Sequence, residues 1–124
     1  GQGMGETLLF AEEQLAHTLS DRGTYLGLAE SLPDLEILFG GSTIAENPDP
    51  ALMNPYGVIP VTPKDPAAPE AVLARTFVDW LVSLEAQSLI AAFGIDTFGQ
   101  PLFYPASDAW CAHRGAGSPG CSGF

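Results

Sequence analysis

The chain has 124 residues, 46% of them hydrophobic, and a formal net charge of −11, with 15 acids set against four lysines and arginines. This is enough chain for one domain with a modest core, and the charge balance excludes nucleic acid as a partner because phosphate backbones demand clustered cations. No apolar run reaches the roughly 20 residues needed to cross a bilayer, and the same negative charge requires any bound anion to be held by short-range donors rather than long-range attraction.

The chain opens on Gly1-Gln2-Gly3-Met4-Gly5, a lead that lets backbone approach a ligand closely. Gly1 is not an initiator and no signal peptide is recognisable, so a processed or engineered start is expected. Leu8, Leu9, Phe10, Ala11 and Leu15 form an apolar stripe predicting a helix from about Glu6 to Gln14, with Glu6 near the positive end of its dipole. N–H groups at Met4 and Gly5 are candidates to face an anion.

Ala16 to Ser20 reads as a short strand that breaks into a turn at Asp21 and Gly23, followed by a helix from Arg22 to about Glu30. Arg22 is the sole lysine or arginine among the first 63 residues, a span with nine acids. Two roles are open to it. One is an ion pair with Asp21 or Glu46 that holds the turn, worth about 0–1 kcal/mol on a surface. The other is an oxyanion ligand, in which the guanidinium fork binds a carboxylate, phosphate or tetrahedral oxoanion while Ser20 and Thr24 add hydroxyl donors and Gly23 adds backbone.

Ser31-Leu32-Pro33-Asp34 marks a turn, and Leu35 to Phe39 reads as a buried strand ended by Gly40-Gly41. Gly40 to Pro55 is a connector rich in Ser, Asn, Pro and Asp. Gly57 to Thr62 reads as an edge strand because of Pro60. A turn over Pro63 to Pro69 precedes an amphipathic helix from Glu70 to Val82, whose apolar residues are Ala71, Leu73, Ala74, Phe77, Val78, Leu81 and Val82, with Trp80 assigned to the core. A second helix, Leu84 to Phe93, starts at Ser83 and stops at Gly94. Ile95 to Pro105 reads as a loop and short strand. Ala106 to Phe124 is Gly/Ser-rich and expected to be poorly ordered unless Trp110 docks. Cys111 and Cys121 either close a small disulfide loop, as in an extracytoplasmic protein, or remain free thiols; with His113 between them they lack zinc spacing. No nucleophile elbow, paired-carboxylate signature or phosphate loop with lysine occurs, so no catalytic residue and no enzymatic role are expected.

Thr18 to Leu26, preceded by Gly1 to Leu8 and followed by Asn54-Pro55-Tyr56-Gly57-Val58-Ile59, resembles the tungstate-binding solute-binding proteins of ABC importers, and Phe77 to Gln87 is similar to their C-terminal helices. The resemblance implies an α/β, periplasmic-binding-protein-like fold of type II, here an incomplete C-terminal portion with a mixed sheet flanked by helices. Residues 1–50 would belong to the second lobe, 51–105 would make the return crossing and the C-terminal helices of the first lobe, and 106–124 would be a flexible tail. It implies a tungstate- or molybdate-type oxoanion held by Met4, Gly5, Ser20, Arg22, Gly23 and Thr24, with no cofactor and no metal. The implied partners are the importer permease and either the missing N-terminal half or another copy of the chain, in a periplasmic or extracellular setting. An interaction module derived from this fold, with no transport role, is the alternative.

Overall fold

The computed structural model describes residues 3–41, 46–47, 49–61, 64–65 and 67–121. The Gly1-Gln2 lead, the middle of the connector at 42–45 and 48, the end of the third expected strand at Thr62, the turn prolines Pro63 and Pro66, and the last residues at 122–124 lie outside the described residues. The chain divides into two compact units, Gly1–Asn54 and Pro55–Phe124.

In the first unit, α1 (Met4–Gln14) and α2 (Arg22–Leu28) pack on each other, and a 3-10 turn, Ala29–Ser31, follows α2. Leu8, Ala11 and Leu32 are its buried apolar side chains. Leu8 and Ala11 stand three residues apart, on one face of α1. The helix ends in a left-handed Leu15 (φ 49°), whose N–H reaches back to the carbonyls of Ala11 and Glu12. A leucine in that conformation is strained, and here its side chain is left in solvent. The loop after the 3-10 turn is tied back to both helices: the Asp34 N–H donates to Glu12 Oε1 of α1 at 3.0 Å, and the Tyr25 hydroxyl of α2 donates to the Leu35 carbonyl at 3.2 Å.

The second unit contains α3 (Pro69–Leu81), α4 (Leu84–Ala92), α5 (Ile95–Phe98) and α6 (Asp108–Arg114). Pro69 starts α3, where its missing N–H costs nothing. Ser83 caps α4 by accepting from the Ala86 N–H at 3.3 Å, and Ser107 caps α6 by accepting from the Trp110 N–H at 3.2 Å. After α4 the chain reverses at Gly94 (φ +94°), where a Cβ would come within 2.6 Å of Leu102 Cγ, so only glycine permits the return. The Leu102 N–H then donates to the Phe93 carbonyl at 2.9 Å, and Phe103 packs against Phe93 and Tyr56 with ring centroids 6.2 and 5.9 Å away. Among the described residues no single helix is long and apolar enough to cross a membrane.

α1 to α4 fall within a residue or two of the expected spans. α5 (Ile95–Phe98) stands where a loop was expected, because Gly94 and Gly99 bracket a single helical turn, and two other expectations need correcting. Ala16 to Ser20, Leu35 to Phe39, Gly57 to Val61 and the stretch before Pro105 are not strands, and no strand occurs among the described residues. The physical reason is that β-propensity becomes a strand only when a neighbour completes the backbone ladder, and no described segment supplies one. Trp80 is not core: it is 41% exposed and stacks with Phe77 at a centroid separation of 6.0 Å. The condition set for order after Ala106 is met: Trp110 docks (8% exposed), with the Arg114 guanidinium 5.0 Å from the centre of its ring, and the stretch carries α6. Cys111 and Cys121 are disulfide-bonded, with Cα atoms 5.5 Å apart.

Gln87, 6% exposed, ties this unit together. Its Nε2 donates to the Leu81 carbonyl at 2.9 Å, and its Oε1 accepts from the N–H groups of Ala106 and Ser107 at 3.0 and 3.1 Å. One side chain thus joins the end of α3, the body of α4 and the entry to α6. Replacing it by leucine strands two donors and an acceptor. Gln87→Leu is therefore expected to lower stability by about 2–4 kcal/mol in urea unfolding followed by tryptophan fluorescence, and Gln87→Glu, which keeps the acceptor, by less.

Candidate functional site

The residues singled out by the sequence gather at the starts of α1 and α2. Asp21, in extended conformation, caps α2 by accepting from the Thr24 N–H at 2.8 Å and from the Thr24 hydroxyl at 2.7 Å. The Ser20 hydroxyl donates to the Asp21 carbonyl at 2.9 Å, and the Tyr25 N–H donates to the same carbonyl at 3.2 Å. Arg22 and Gly23 are the first two helical residues, so their N–H groups have no intrahelical acceptor. Ser20, Arg22, Gly23 and Thr24 are all partly buried, and Arg22 is itself partnered.

At α1, Gly3 precedes the first turn and its N–H donates to the Glu6 carboxylate at 3.1 Å, while the Thr7 hydroxyl donates to the Gly3 carbonyl at 3.0 Å. Glycine has no side chain with which to complete a reciprocal cap, so only the Glu6 half of a capping box forms. Met4 and Gly5 occupy the first turn. Gly5 is where the two helices meet: a Cβ built there would lie 3.4 Å from Leu28 Cδ1 and 3.9 Å from Thr24 Cγ2. The structure therefore brings the first turn of α1 against the side of α2, at Thr24 and Leu28.

Chemically the two helix starts offer backbone and hydroxyl donors, with Arg22 on the first residue of α2 and a carboxylate at each start. Glu6 attends α1 and Asp21 attends α2. Sequence reasoning named both as capping or dipole residues and did not assign them as occupants of the donors. It also passed over Glu12, whose Oε2 is buried without a hydrogen-bond partner while Oε1 holds Asp34. The signal for it is positional, because Glu12 stands one turn beyond the buried Leu8.

A PBP superfamily domain model matches residues 1–85. The chain is 42% identical over 105 residues to a tungstate-binding protein of Peptoclostridium acidaminophilum, covering 85% of this chain and 34% of that one. It is 42% identical over 110 residues to a putative ABC transporter anion-binding protein of Haloferax volcanii, covering 85% and 29%. A tungstate-binding protein of Campylobacter jejuni is 33% identical over 106 residues, covering 83% and 36%. The chain thus spans about a third of the length of the curated relatives it matches. No solved structure gives a significant match.

Since Asp21 provides the whole side-chain cap of α2, Asp21→Ala should destabilise the first unit by about 1 kcal/mol. Asp21→Asn, which retains an acceptor for the Thr24 N–H, should recover most of the loss. Amide exchange at Thr24 and Tyr25 is the measurement.

Proposed function

Because the chain belongs to the PBP superfamily, we propose that it forms one side of a tetrahedral oxoanion site in an extracytoplasmic solute-binding protein, with tungstate or molybdate delivered to an ABC importer permease. In this reading residues 1–50 and 51–105 contribute to different lobes, the remaining shell comes from polypeptide beyond this chain, and no cofactor or catalytic step takes part. The relatives' names, tungstate-binding and anion-binding, support it.

The observation that carries the proposal is the position of Arg22. A cation on the first residue of a helix meets the positive end of the helix dipole, an arrangement disfavoured by a few tenths of a kcal/mol to about 1 kcal/mol. An oxoanion bound across the N–H groups of Arg22 and Gly23 turns this conflict into cooperation, because guanidinium and helix terminus then face the same charge. The Met4 and Gly5 N–H groups, at the neighbouring helix start, extend the donor set. For Thr24 to join, its hydroxyl must turn from Asp21 to the anion.

A dehydrated dianion needs every oxygen met, since each buried unmet acceptor costs about 1–3 kcal/mol. Half a shell therefore binds poorly. Calorimetric titration of the 124-residue chain with tungstate, molybdate and sulfate should show no uptake at micromolar concentrations. When the chain is joined to the remaining portion of the Peptoclostridium relative, tungstate binding should appear, and Arg22→Ala should weaken it by about ten- to a hundredfold, the value of a charge-assisted hydrogen bond. Full affinity in Arg22→Ala would remove the arginine from the site. A joined protein that folds yet ignores all three anions would favour the interaction-module reading.

A further inference from the structure

The two ends of α6 are held by different means. At its start, Gln87 Oε1 accepts from the Ala106 and Ser107 N–H groups, Ser107 accepts from the Trp110 N–H, and the Trp110 side chain is buried. At its end the chain turns at Gly115 (φ +93°) and comes back to Gly120, which is buried beneath Pro105: a Cβ built on Gly120 would lie 2.5 Å from the Pro105 carbonyl oxygen. The hydrogen bonds described for 115–121 are all local. The Gly115 N–H donates to the Cys111 carbonyl, Ser118 donates to the carbonyls of Gly115 and Arg114, and the Cys121 N–H donates to the Ser118 carbonyl. Gly115, Ala116, Gly117 and Pro119 are exposed, so this return buries little apolar surface. Apart from the seat of Gly120, what ties it down among the described residues is the Cys111–Cys121 bond, and both of those cysteines are partly exposed.

We propose that this disulfide is a redox latch: a dithiol opens it in the folded protein and releases residues 115–121 from Pro105, while the start of α6 stays docked. One thiolate of the dithiol attacks a latch sulfur, the S–S bond breaks, and the departing cysteine sulfur takes up a proton. The second thiolate of the reductant then attacks its own sulfur in the mixed disulfide and displaces the other cysteine, which is protonated in turn. Two electrons pass to the protein and the dithiol leaves as a disulfide. Because Gln87, Ser107 and Trp110 all act before Cys111, that cysteine keeps its place when the latch is open. Its partner is tethered ten residues away, so the thiols remain at high effective concentration and exchange with a disulfide oxidant closes the latch again. The latch lies within the second unit and is independent of whether an anion binds.

The test treats the folded chain with dithiothreitol in the absence of denaturant, counts thiols by iodoacetamide alkylation and mass, and follows amide exchange by NMR. Both cysteines should be alkylated, and exchange at Ser118 and Cys121 should quicken by at least about tenfold once the loop is open. Exchange at Ala106, Ser107 and Trp110 should change by less than about twofold, and Trp110 emission, read alone in Trp80→Phe, should keep its wavelength. Oxidised glutathione should restore the slow exchange, and the double variant Cys111→Ser, Cys121→Ser should show the open pattern with no reductant present. A bond that resists dithiothreitol until the chain unfolds, unchanged exchange at Ser118 and Cys121 on reduction, or failure to close again would each overturn the proposal. So would loss of protection at Ala106 and Trp110 together with the return, since the bond would then brace the whole helix rather than latch its end.

Discussion

In the first unit the opening turn of α1 lies against α2 at Gly5, where an added Cβ would make ordinary van der Waals contact with Leu28 Cδ1 at 3.4 Å and Thr24 Cγ2 at 3.9 Å. The contact therefore has room for a small side chain. Burial alone does not fix this geometry, since Leu8, Ala11 and Leu32 make a thin core. The contact at Gly5 adds to that core, and it links a feature of the sequence, glycine at the head of a helix, to the packing of α1 on α2.

Helix starts attract negative charge, and the chain meets the demand with its own Glu6 and Asp21. In the oxoanion reading proposed above, a guest would compete with Asp21 for the Thr24 hydroxyl, so its affinity would be set by the difference between what it gains from the helix starts and what Asp21 gives up.

Helices were legible because each carries its information locally. The stripe at Leu8 and Ala11, Pro69 at the head of α3, Ser83 before α4 and Gly94 after it can be read without knowing the rest of the fold. The starts of α1 and α2 were legible to the same extent, from Gly-rich and Ser/Arg/Thr turns standing before apolar periodic runs. Strands were not, because Val58, Ile59 and Val61 record a preference for a pleated surface and say nothing of whether a partner edge lies within reach. Ile59 and Val61, 86 and 87% exposed, show that preference unmet in this chain. Nor could periodicity tell which side of α3 faces inward. The helix is apolar around more than half its circumference, and the small Ala71 sits inside while Leu73 and Phe77 sit outside.

The segment after Ala106 shows how a stretch of disorder-like composition becomes structured without a large core. Glycine, serine and alanine bury little apolar area, so hydrophobic gain cannot offset the entropy of ordering them. Short-range devices do it instead. Gln87 fixes two consecutive N–H groups at the entry, Ser107 caps the helix, Trp110 supplies the one large buried surface, and the Cys111–Cys121 bond closes the far end. Gly120 (φ +87°) lets the returning chain pass beneath Pro105, where any Cβ would strike the Pro105 carbonyl oxygen. Each of these acts within about 35 residues of sequence, so α6 needs nothing beyond the second unit to hold its place. The unit's exposed apolar side chains lie elsewhere, at Leu73, Phe77 and Trp80 of α3 and at Tyr56, Ile59 and Val61.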